Sequence, residues 1–268
     1  VSQDDGYWVW VTEATTFSLT DAEPVNYDDD GIVIYNMHIG NNLISYPFEN
    51  GQYLADGLGD AAGYVYAIVG EGVAALKIGN SFVGSLEAFE GGKGYWLVAN
   101  TDFDFTYNGT SDALVHQEPV RAVPEIYSYV QSVEQAFYLI ESVSSLNTEG
   151  DSIDEDDIIL AYNGNVVVGS RYWNGEYTDV PAMGFTELGD TNLVTGYCKN
   201  GDEISFKVWD DSAGTLLDMV AGGDVEWNSM GISVINLCSS SPCALSNNSF
   251  FPVEYSLSRP YPNPFNPV

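Results

Sequence analysis

The sequence predicts an all-β protein of two β-sandwich-like modules in tandem, with an extended proline-rich tail, and three observations carry that prediction. Short aromatic or β-branched runs follow one another along the chain, each bounded by Gly, Asn or Asp. Only 52–58 and 215–221 read as brief helices. A unit opening on Gly-Tyr-Trp occurs twice, in "GYWVWVTEATTFSLT" (6–20) and "GYWLVANTDFDFTYNG" (94–109), as if one strand pair opens and closes the first module.

Taken in order, strands are expected in the first module at 6–11, 31–39, 42–48, 64–69, 94–99 and 103–109. In the second they are expected at 135–143, 157–164, 165–173, 193–198, 203–210 and 231–237. Asn163-Gly164 supplies the positive-φ turn of a hairpin. Trp8, Trp96 and Trp209 alternate with polar neighbours and read as sandwich core. The stretch "HQEPVRAVPE" divides the chain, which gives an N-terminal module at 1–115, a linker at 116–125, a second module at 126–240 and a tail at 241–268.

Charge is the strongest global signal. Seven Lys and Arg against 39 Asp and Glu give a formal net charge of −32. Such a surface repels phosphate backbones and anionic headgroups, so neither nucleic acid nor membrane is an expected partner. No apolar run approaches the roughly 18–20 residues of a membrane helix. Val1 begins the sequence without a basic, apolar leader, as expected of a chain whose signal peptide has been removed. Cys238 and Cys243, in "CSSSPC", can close a short loop as a disulfide, which suits an oxidising setting, and Cys198 is left over in an apolar run.

The end of the chain carries a resemblance. "YSLSRPYPNPFNPV" (255–268) resembles the opening of the C-terminal sorting domain that marks cargo of the type IX (Por-type) secretion system of Bacteroidetes and related phyla. The likeness covers the last fourteen residues and lacks the β-sandwich that follows in the family. It implies export across the outer membrane, then release or attachment at the cell surface. The segments 42–100 and 156–210 are also similar to uncharacterised β modules of such cargo, and bring no catalytic assignment with them.

Catalytic patterns are thin. His38 falls in an alternating strand and His116 in the linker, neither within a nucleophile motif. "GEGVAAL" lacks the third glycine of a dinucleotide loop. Among 39 acids some pair always meets a glycosidase spacing, so that spacing decides nothing. The expectation is a protein that is not an enzyme.

Calcium fits the acids better, because Ca²⁺ takes six to eight oxygens from carboxylates and carbonyls. The candidate ligands are Asp151, Asp154, Asp156 and Asp157, then Asp28, Asp29 and Asp30, then Asp210 and Asp211. For any one cluster an acidic turn is the plainer reading; "DSIDEDDIILAY" lacks both the sixth-position glycine and the twelfth-position glutamate of an EF-hand. The rival site is aromatic. Tyr172, Trp173 and Tyr177, with Arg171 nearby, could stack on sugar rings.

The functional expectation is therefore an extracellular structural or adhesive protein, stabilised by calcium, that associates with itself through strand edges and terminal arms into a filament or matrix. The alternative is a carbohydrate-binding or adhesin module in an extracellular polysaccharide-processing system.

Overall fold

The computed structural model describes residues 33–109, 115–144, 152–188 and 190–244, with isolated positions at 7, 9, 11, 13, 15, 16, 18 and 146. Of the expected first strand, 6–11, only positions 7, 9 and 11 are described; Trp8, Asp28, Asp29, Asp30, Asp151 and the proline strip lie outside the described residues.

The described chain is all-β. Its first part contains β1 (Tyr35–Met37), β2 (Gly40–Ser45), β3 (Gln52–Tyr53), a one-turn helix α1 (Leu54–Leu58), β4 (Val65–Val69), β5 (Ala74–Ile78), β6 (Ser81–Gly84), β7 (Ala88–Phe89), β8 (Gly94–Ala99) and β9 (Phe103–Phe105). Five strands form an antiparallel sheet in the order β2-β8-β4-β5-β6, accompanied by the ribbons β1-β9 and β3-β7. Tyr95 and Leu97 point from β8 to one face, where they join a core rich in rings. Phe89 sits at its centre, stacked on Tyr46 at 5.4 Å and edge-on to Tyr95 and Tyr107 at 5.0 and 5.2 Å. Offset and edge-on ring pairs of this kind add to the burial they accompany.

The second part contains β10 (Gln135–Val143), β11 (Ile158–Asn163), β12 (Val166–Tyr172), β13 (Thr178–Met183), β14 (Ser205–Asp210), β15 (Thr215–Gly222) and β16 (Ile232–Cys238). They make one seven-stranded sheet in the order β12-β11-β14-β15-β16-β10-β13, with β10 and β16 parallel. The sheet rolls until its two outer strands stand side by side. A Cβ on Gly169 of β12 would collide with the Pro181 carbonyl of β13, so only glycine permits that approach. Inside the roll, Ile159, Val168, Val180, Phe206 and Ile235 are wholly buried, and the Trp227 indole donates to the Ala182 carbonyl at 2.9 Å.

The other face of the first sheet is not solvated. Ala67, Val69, Ala74, Leu76 and Val98 pack against Phe137 and Leu139 of β10, with Ile232 and Val234 of β16 beside them. The first sheet is thus buried on both faces, which is why "YAIV", "AAL" and "LVA" read as continuous apolar runs and not as alternation.

Three expectations change. Residues 215–221 are strand β15, hydrogen-bonded between β14 and β16, because the pairing partners on both sides outweigh a weak local helical pattern. Residues 191–196 form turns instead of a strand, with Gly196 at φ 82° and only Cys198 bridging to Gly184. Trp96 and Trp209 are half-buried; Trp96 packs at the junction between the sheets and Trp209 lies against Tyr127, while among the described residues the fully packed tryptophan is Trp227. Cys238 and Cys243 are joined as expected, and Cys198 is a buried free thiol whose pKa burial pushes up to about 12.

Candidate functional site

The loop between β12 and β13 gathers the aromatic candidates. Arg171 and Tyr172 end β12, Trp173 follows, and a tight turn at Gly175 and Tyr177 returns the chain into β13. Tyr177 holds φ 65°, an uncommon conformation for a bulky residue. Its backbone N–H donates to Ile140 at 2.8 Å and its hydroxyl to Glu141 at 3.4 Å. Thr178 closes the turn, its hydroxyl donating to Gly175 O at 2.8 Å and accepting from Asn174 N at 2.9 Å.

This loop forms one wall of a cleft of about 300 Å³. Gly84, Ser85 and Glu87 of the first module face it, and residues 118–121 run along a third side. Tyr172, Trp173 and Tyr177 all reach the cleft and all are half-buried. The Arg121 guanidinium lies 3.7 Å above the Tyr172 ring and covers one face of it. The same guanidinium donates to the Glu155 carbonyl at 2.9 Å and pairs with Asp156 at 3.1 Å. Glu155, Asn174 and Glu176 are exposed at the mouth.

The floor is a buried ion pair that the sequence reading did not single out. Asp179 is 1% exposed and Arg171 5%. The Asp179 carboxylate accepts from Arg171 Nη2 at 3.3 Å, Ala74 N at 3.0 Å, Ser85 N at 2.8 Å and Ser85 Oγ at 2.8 Å. Burial raises the Asp179 carboxyl, against the pull of Arg171 and the Ser85 and Ala74 donors. Arg171 also donates to the Gly72 and Asp179 carbonyls, at 2.7 and 2.9 Å. The signal was present: an arginine in a chain with seven basic residues, and an aspartate inside the apolar "TDVPAM", each need a buried partner.

The acidic candidates lie next to the aromatic ones. Asp154, Glu155 and Asp156 share a second, shallower depression with Trp173, and Trp173 N donates to Asp157 O at 2.9 Å. The structure brings Asp154, Asp156, Asp157, Asp210 and Asp211 into one neighbourhood, where protein donors engage both oxygens of Asp157 and Oδ1 of each of the others. Asp157, 3% exposed, accepts from the Asp154 and Asp211 amides at 2.9 and 3.0 Å. Asp210, 2% exposed, accepts from Ser212 Oγ and Ala213 N, both at 2.8 Å. Asp154 takes Asp156 N at 3.0 Å, and Asp211 takes the Trp209 indole at 3.4 Å. These are turn-closing bonds of the kind short acidic side chains make. Among the described residues no group of three or more His, Cys, Asp or Glu is placed to hold a metal ion.

No family model, curated protein or solved structure matches this chain.

Proposed function

We propose that this chain is a secreted, non-catalytic adhesive protein that binds a segment of extracellular polysaccharide in the cleft between its two modules. The observation that carries the reading is the convergence of Tyr172, Trp173 and Tyr177 on one cleft. Apolar ring faces match the C–H faces of a pyranose, and the Glu155, Asn174 and Glu176 side chains at the mouth supply partners for its hydroxyls. The secreted setting rests on the sorting-domain resemblance and on the Cys238–Cys243 bond.

Retention of the purified protein on insoluble polysaccharides tests this reading. Trp173→Ala is expected to weaken retention about tenfold, the loss of one good ring contact and its burial. If retention is absent for a broad panel of polysaccharides, or unchanged in the variant, the reading fails.

The net charge favours a second reading, calcium-dependent self-association, because divalent cations relieve repulsion between neighbouring subunits of charge −32. In that reading the cations bridge exposed carboxylates such as Asp156 and Asp218. Light scattering in millimolar calcium and in chelator checks it; one unchanging particle size in both would remove it.

A further inference from the structure

We propose that the outer face of the first module's sheet is a dedicated docking surface for a module of the second kind, keyed by an inward-pointing carboxylate; the inference does not depend on the polysaccharide reading. The partner is here supplied by the same chain, as residues 126–240.

Two features of the first module prepare it. Ala67, Val69, Ala74 and Leu76 present an apolar face that is at most 1% exposed only because β10 and β16 cover it. Beside that face, Gly84 holds φ 119° where a side chain would strike the Ala74 carbonyl. The bend it allows turns Ala74 N–H, Ser85 N–H and Ser85 Oγ–H toward a single point. Convergent backbone donors of this kind receive an anion. Asp179 occupies that point, with its charge offset by Arg171, which itself donates back to Gly72 of the first module. Gln135, fully buried, adds a bond to Gly70 O at 3.0 Å and receives Gly72 N at 3.4 Å.

The division of labour is physical. Apolar contact is non-directional and would tolerate sliding of one sheet over the other. A buried carboxylate does not: displaced from this point, Asp179 would leave its three donors unsatisfied. The key therefore fixes register, and the apolar face supplies adhesion. An unbroken chain through 116–125 is then not required for docking.

A protease site placed between Ala122 and Val123, in exposed chain, tests this on the otherwise complete protein. After cleavage the two parts are expected to co-elute at low micromolar concentration and to melt in one transition. Asp179→Asn in the cleaved protein should raise the dissociation constant of the parts by at least about thirtyfold, as loss of one partner in a buried charge pair does. Should the uncut Asp179→Asn chain fail to fold, Ser85→Ala reads the same key from the other module, with about a tenfold weakening expected. Parts that separate on cleavage overturn the proposal, and so do variant parts that hold as tightly as the parent.

Discussion

Asp179 and Asp157 are both carboxylates withdrawn from water, and the protein satisfies them in opposite ways. Asp179 is met by a guanidinium and by three donors from the other module, across a separation of about a hundred residues in sequence. Asp157 is met by two backbone amides alone, among like charges on Asp154 and Asp210. The first arrangement joins two sheets; the second closes a local turn beside β11 and β14. The difference teaches what a buried charge contributes in this fold. Where a cation and distant donors converge, the charge encodes how modules meet. Where neighbouring amides suffice, the charge shapes a turn, each of its oxygens taking one backbone donor.

The largest effect is expected at Asp179. Asp179→Ala leaves Arg171 buried without its partner, and about 3–5 kcal/mol of stability is expected to be lost, measured by denaturant unfolding. A loss within the range of an ordinary surface change would show that the junction charge does not matter. Gly84→Ala attacks the same place through the backbone, forcing a side chain into φ 119° and against Ala74; about 2–3 kcal/mol is expected, read by thermal melting.

At the other carboxylate, Asp157→Asn is expected to cost about 1–2 kcal/mol near neutral pH, because one backbone donor then faces an amide N–H₂. Its pH dependence sharpens the contrast. Burial raises the Asp157 carboxyl above its ordinary 3.8, opposed by the Asp154 and Asp211 amides and reinforced by the Asp154 and Asp210 charges. Between 3.8 and that raised value the folded chain keeps a proton that the unfolded chain has released. This contribution is present at low pH and is lost as pH rises through that window. Unfolding curves taken from about pH 3.5 to about pH 6 should therefore show the parent losing stability with pH relative to Asp157→Asn. A difference that grows in the opposite direction would mean that the two amides, not burial, dominate.

The smallest effect is expected where a charge pair is open to water. Arg121 and Asp156 have side chains 54% and 61% exposed, so Arg121→Ala should change stability by no more than about 1 kcal/mol. Its measurable consequence should instead be at Tyr172, whose ring it uncovers, seen as a change in tyrosine exposure by solvent-perturbation spectroscopy.

Much of the strand plan was legible. "QAFYLIESV" coincides with β10, and the β11–β12 hairpin does turn at Gly164, φ 59°, although the turn pair is Gly164-Asn165 and Asn163 still ends β11, paired with Val166. Those segments announce themselves because β-branched and aromatic residues fit a pleated surface and few residues accept positive φ. The strand β13, "TDVPAM", was missed because a charge and a proline interrupt its apolar pattern. Both interruptions make sense only in three dimensions: Pro181 stands at the outer strand of the sheet, where Gly169 approaches it, and Asp179 crosses into the other module. At the site, Tyr172, Trp173 and Tyr177 were legible as a cluster because they are near in sequence. The acids were legible as clusters for the same reason, but not the amides that occupy them, since hydrogen-bond satisfaction is a property of the folded turn.

The sequence by itself determined the class of structure, the placement of most strands and the excess of negative charge, because each depends on local pattern or on a sum over residues. Only the tertiary structure decided that the first sheet is covered on both faces, that the second rolls until its edges meet, and that an aspartate in one module is received by the backbone of the other. Those outcomes depend on which distant groups arrive at the same point, and an unpaired charge or an uncovered apolar face in one segment specifies the need for a partner without specifying the partner.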